Sequence, residues 1–96
     1  MKKTTGKVTG NYVVEIPLAD GSVSMLVGEI VSRDANTIRM KKAAFVKDTG
    51  RRSEFFAGRF DSTCEVEPYP DDVQVELPAG RAMLYTWSHP LLRERR

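Results

Sequence analysis

A chain of 96 residues, 41% hydrophobic and 29% charged, has room for one small domain with a modest core and is too apolar to stay disordered. One cysteine, Cys64, excludes an internal disulfide framework, and one histidine, His89, excludes most zinc sites. The net charge of +2 conceals a segregation: residues 1–60 carry eleven Lys/Arg against six Asp/Glu, residues 61–92 carry one arginine against six acids, and 93–96 are basic again.

The start, Met1-Lys2-Lys3-Thr4-Thr5-Gly6, has no apolar stretch behind its charges and is not a signal peptide. No run approaches the ~20 apolar residues that cross a bilayer, so cytoplasmic residence without a membrane partner is expected. Residues 1–10 read as a flexible N-terminus, 11–92 as a single domain, and 93–96 as a basic tail.

Asn11-Tyr12-Val13-Val14-Glu15-Ile16 is rich in β-branched and aromatic residues and predicts a strand. Ala19-Asp20-Gly21-Ser22 is a hairpin turn into a second strand, Val23 to Arg33. There Leu26, Gly28 and Ile30 share one face, and Gly28 marks a bend, a bulge or a close backbone approach, the bend suiting a small curved barrel. Asp34-Ala35-Asn36-Thr37 makes the next turn, with side chains able to bond their own backbone. In the strand Thr37 to Val46, period two puts Ile38, Met40 and Ala44 on one face, with Lys42 a polar intruder, and Arg39, Lys41 and Ala43 on the other.

Lys47-Asp48-Thr49-Gly50-Arg51 turns the chain again, and Ser53-Glu54-Phe55-Phe56-Ala57 is a short strand or one helical turn leading into Gly58. Thr63-Cys64-Glu65-Val66-Glu67 makes Cys64 a passive strand residue in an acidic setting that discourages thiolate. Pro68 and Pro70 flank Tyr69 ahead of Asp71-Asp72, a rigid exposed loop. Val73 to Leu77 alternates as a strand with one wet face, Pro78-Ala79-Gly80-Arg81 is a turn, and Ala82 to Trp87 is the last strand. The expected fold is mainly β: five to seven strands in a strongly bent antiparallel meander, closed or nearly closed into a small barrel.

The stretch Gly28-Glu29-Ile30-Val31-Ser32-Arg33-Asp34 and on to Ile38 resembles the second and third strands of Sm-like and other SH3-like small barrels, in a glycine that bends the strand, an apolar residue two positions on, and an aspartate opening the turn. The chain as a whole resembles short phage and bacterial proteins of the same meander layout. That resemblance implies a phage-encoded, oligomeric binding protein, countering host defence by sequestering a signal or meeting a defence protein in the host cytoplasm. The ring aromatic with which Sm-like turns stack a base is replaced here by Ala35, and the family's basic–glycine pair is only echoed in Gly80-Arg81.

No cofactor motif is present: no phosphate-binding glycine loop and no paired cysteines. His89, beside Pro90, reads as a packing or capping residue rather than a general base, and Asp71-Asp72 with Glu65 and Glu67 as solvated acids rather than cation ligands. Catalysis is not expected. Arg39, Lys41, Lys42, Lys47, Arg51 and Arg52, with Phe55 and Phe56 following, form the constellation that suits an anionic ligand: guanidinium groups fork onto phosphate and an aromatic ring stacks on a base. The plainer alternative is a basic hairpin tip over an aromatic core. Tyr85 and Trp87 alternate onto one face, as core closure or as an exposed protein-binding ridge. The leading expectation is therefore a homo-oligomer holding a nucleotide or oligonucleotide in basic pockets; the alternatives are an Sm-like RNA- or DNA-binding module and a protein-targeting inhibitor acting through an edge strand or the ridge.

Overall fold

In the computed structural model, which describes residues 10–94, six strands and one helical turn follow one another. They are β1 (Gly10–Pro17), β2 (Val23–Arg33), β3 (Thr37–Asp48), α1 (Arg52–Phe56), β4 (Glu65–Pro68), β5 (Gln74–Pro78) and β6 (Met83–Thr86). All strands pair antiparallel in one sheet of order β4-β3-β2-β1-β6, and β5 joins the far half of the same edge of β3 that carries β4. The fold is mainly β, as the sequence predicts, but the ladder does not close on itself: β6 ends the sheet on one side, β4 and β5 on the other. Of the segment expected to be flexible, only Gly10 lies within the described residues, and of the basic tail only Arg93 and Glu94 do.

The turns obey their side chains. Asp20 Oδ1 accepts from the Ser22 N–H at 3.0 Å, and Asp34 Oδ1 accepts from Asn36 and Thr37 N–H, both at 2.8 Å. Ser53 to Phe56 resolves to the helical alternative: the Phe55 N–H bonds to the Arg51 carbonyl, and Gly58 closes the turn on Phe55.

The sheet is buried on both faces where β1 and β2 cross its middle, hence the unbroken buried runs Val13–Ile16 and Met25–Gly28. One face holds Val14, Leu26, Ile30, Ile38 and Met40, onto which Val75 and Leu77 of β5 and Leu84 of β6 curl. The other holds Val13, Met25, Val27, Ala44, Val46 and Val66, covered by Phe55 of α1 and by Trp87 and Leu92 beyond β6. Trp87 is thus core closure and not an exposed ridge, its indole N–H donating to the Pro90 carbonyl at 3.1 Å.

Strict alternation along β3 fails opposite Gly28. The partners shift from Val27↔Ala44 to Glu29↔Lys41, so Gly28 faces two residues, Lys42 and Ala43, and Lys42 takes a left-handed φ of 52°. Beyond this bulge the faces exchange: Ala43 joins Ile38 and Met40, and Ala44 lies on the opposite face, the reverse of the period-two expectation. Gly28 permits the bulge through close approach, because a Cβ there would stand 2.8 Å from Ala43 Cα.

Two further boundaries move. Val73 stays outside β5, and the expected exposed loop is anchored at its start, where Pro68 belongs to β4 and half-buried Tyr69 donates its N–H to the Ala43 carbonyl. Arg93 is equally fixed, donating to the carbonyls of Ala43 (2.9 Å) and Tyr69 (2.6 Å) and to Asp71.

Candidate anion-binding cleft

Of the eight residues singled out for ligand binding, the six basic ones fall into three places. Arg39 and Lys41 project from the half of β3 that pairs with β5, opposite Ile38 and Met40, and Lys42 is exposed on the bulge. Arg39 Nε donates to Glu76 Oε2 at 3.1 Å across the strand pair, and Lys41 stands 4.0 Å from Glu29. Arg51 belongs to a small cleft with Glu54, Arg59, Phe60 and Asp61. Lys47 and Arg52, by contrast, meet on one larger cleft of about 530 Å³, between the end of β3 and the start of α1.

The cleft is lined by the apolar side chains of Val23, Met25 and Val46, of which Met25 and Val46 are buried and Val23 is exposed, and by Lys47, Asp48, Thr49 and Arg52. Within it lies Glu15, only 7% exposed, the one buried charged residue described, 2.7 Å from Arg52. Period two explains the placement: Val13 and Glu15 share a face of β1, so the carboxylate must turn inward and needs a cation. Arg52 supplies it through Nη2, and more than half of the Arg52 side chain stays open to solvent. The same guanidinium lies 4.9 Å from the Phe56 ring centroid, and Phe56 in turn meets Tyr85 edge-on. Phe55 is 0% exposed and packs on Trp87, so its ring belongs to the core and offers no face to a ligand.

Asp61 sets the position of this rim. It accepts from the Arg51 N–H at 2.9 Å and presses on Gly50, where a Cβ would stand 2.2 Å from its Oδ1 and φ is 69°. Asp48 accepts from the Gly50 N–H at 2.8 Å from the other side. The turn that delivers Arg52 to α1 is therefore held by two carboxylates. The Thr63 hydroxyl, followed by the N–H groups of Arg51 and Thr63, lowers the Asp61 pKa from 3.8 to about 2. A depressed carboxylate binds its proton more weakly folded than unfolded, so its contribution is complete above about pH 4 and disappears as pH falls towards about 2. Asp61→Asn should flatten the acid limb of a stability-versus-pH curve in that window, as read by denaturant midpoints; an unchanged acid limb would contradict the clamp.

Among the described residues three ion pairs join the acidic 61–92 segment to the basic 1–60 segment within one chain: Arg39–Glu76, Lys47–Glu67 (3.4 Å) and Arg51–Asp61 (3.9 Å). Exposed pairs of this kind contribute little stability but orient their side chains. Glu15, Asp48 and Asp61 are the site residues that sequence reasoning missed. A charged residue at an inward position of an apolar strand was the available signal for Glu15. His89 packs edge-on against Trp87 with Nε2 3.1 Å from the Phe56 carbonyl, and Cys64 is buried just ahead of β4. Among the described residues no three His, Cys, Asp or Glu groups converge as metal ligands, and no helix is long and apolar enough to cross a membrane.

The chain matches no protein-family model, no curated protein and no solved structure.

Proposed function

We propose that this is a small binding protein, not an enzyme, that holds a phosphate-bearing anion in the cleft between β3 and α1. The observation that carries the proposal is the convergence of Lys47 and Arg52 on that cleft, whose lining also includes Val23, Met25 and Val46. Arg52 engages phosphate through the exposed part of its guanidinium, Lys47 turns from Glu67 to add a second positive charge, and Val23, Met25 and Val46 take the apolar body of the ligand. A nucleotide or an oligonucleotide end carries both parts. Arg39, Lys41 and Lys42 lie on the other half of β3 and serve, in this reading, to attract the anion rather than to seat it.

The resemblance of Gly28 to Ile38 supports a finer fold assignment, an SH3- or Sm-like small barrel, and the resemblance of the chain as a whole to short phage and bacterial proteins supports a phage origin and sequestration of a host defence signal in the host cytoplasm. An Sm-like mode of base recognition has less support, because Ala35 offers no ring to stack on.

Titration with ATP and with a mixed-sequence single-stranded oligonucleotide tests the proposal and separates the two sources of phosphate. Lys47→Ala and Arg52→Lys should each weaken binding about tenfold or more, since Lys keeps a charge beside Glu15 but loses the planar fork. Thermal melts should show both variants folded. If the wild-type chain binds neither probe, or if both variants bind as it does, the reading is wrong.

A further inference from the structure

The three outer strands differ in what they offer to another strand. On β5, Ala79 N–H bonds to the Asn36 carbonyl, so by alternation Leu77 and Val75 face β3 while Pro78 and Glu76 face outward. On β4, Tyr69 N–H bonds to the Ala43 carbonyl, which turns Pro68 and Val66 outward. Each of these edges thus presents a proline at an outward position, where it has no N–H to give. On β6 the bond from Trp87 N–H to the Asn11 carbonyl points Tyr85 and Met83 inward to β1, and Leu84 and Thr86 outward. Both outward residues carry a full donor–acceptor pair, Met83-Leu84-Tyr85-Thr86 has no charge and no proline, and Met83 is 53% exposed. Among the described residues β6 pairs only with β1.

We infer that β6 is the self-association edge, and that two copies of the chain join β6 to β6 antiparallel across a two-fold axis. The donors and acceptors suit this occupant. With Tyr85 facing its copy, Leu84 of each chain meets Thr86 of the other, giving about four cross-chain hydrogen bonds and using every outward group of the strand. Met83 gains cover at either end of the paired ribbon. The uncharged strand and the small net charge of +2 leave little repulsion between identical copies. Such an isologous contact closes at two copies, whereas the proline-blocked outer edge of β5 disfavours an open head-to-tail chain running from β5 to β6.

This inference is independent of the anion reading, and its test uses no ligand. Sedimentation of the full chain across a concentration series should give the dimer mass. Thr86→Pro removes an outward N–H at an exposed position, and Met83→Lys replaces the apolar cover at each end of the ribbon with a charge. Each should weaken self-association about tenfold or more while the circular dichroism of the diluted protein stays unchanged. A wild-type chain that stays monomeric throughout, a larger ring, or a dimer insensitive to both substitutions would overturn the assignment.

Discussion

Phe55→Ala is expected to destabilise the protein by about 4 kcal/mol, more than any other single truncation. Phe55 is fully buried and is the largest such side chain described. Its ring centroid lies 5.1 Å from Trp87 and 5.6 Å from both Phe56 and Phe60, so one truncation empties the layer that covers Val13, Val27 and Val46 and removes three aromatic contacts. Domains of this size have only about 5–15 kcal/mol in all. The variant should therefore keep only about 1–11 kcal/mol, and its denaturant midpoint should fall by roughly a quarter to four-fifths. A loss below about 1 kcal/mol would mean that α1 is not the lid of that core. Because α1 begins at Arg52, the same variant should also lose anion binding in proportion to its unfolding.

Gly28→Ala should cost about 2–3 kcal/mol, although it adds a single methyl group. The new Cβ would stand 2.8 Å from Ala43 Cα, 3.0 Å from Ala43 Cβ and 3.1 Å from Met40 Cε. The first of these is backbone, so relief requires β2 and β3 to separate at the bulge, where the two faces of β3 exchange. Gly80→Ala is the control, since nothing lies within 4 Å of its Cβ position. Urea melts should show a large shift for the first substitution and almost none for the second. Equal effects would remove the case for close approach at Gly28.

These two residues also mark the limits of reading the sequence. Turn chemistry at Asp20-Gly21-Ser22 and Asp34-Ala35-Asn36 located the β2 hairpin and its neighbour well, because the signals are local and each side chain bonds its own backbone. Gly28 was legible as a special position, but its consequence was not. The bulge it permits is expressed on the partner strand at Lys42, fourteen residues later, and period-two counting along β3 has no knowledge of β2. The basic residues were legible as a set, but their partition was not. Period two separates Arg39 from its buried neighbours, yet only the turn held by Asp48 and Asp61 brings Arg52 back beside Lys47. The segregation of charge was visible in the numbers alone. That acidic β4 and β5 both flank basic β3, and so pair with it in one chain, is a fact of topology.

The central claim is that the cleft of Lys47 and Arg52 holds a phosphate-bearing anion. Native mass spectrometry of the protein as purified from cells, with ultraviolet absorbance on the same sample, tests it most directly. The expected result is a bound mass with nucleobase absorbance on the wild-type chain and its absence from a folded Lys47→Ala, Arg52→Lys double variant. A bare polypeptide mass for the wild type, or the same adduct on both proteins, would contradict it.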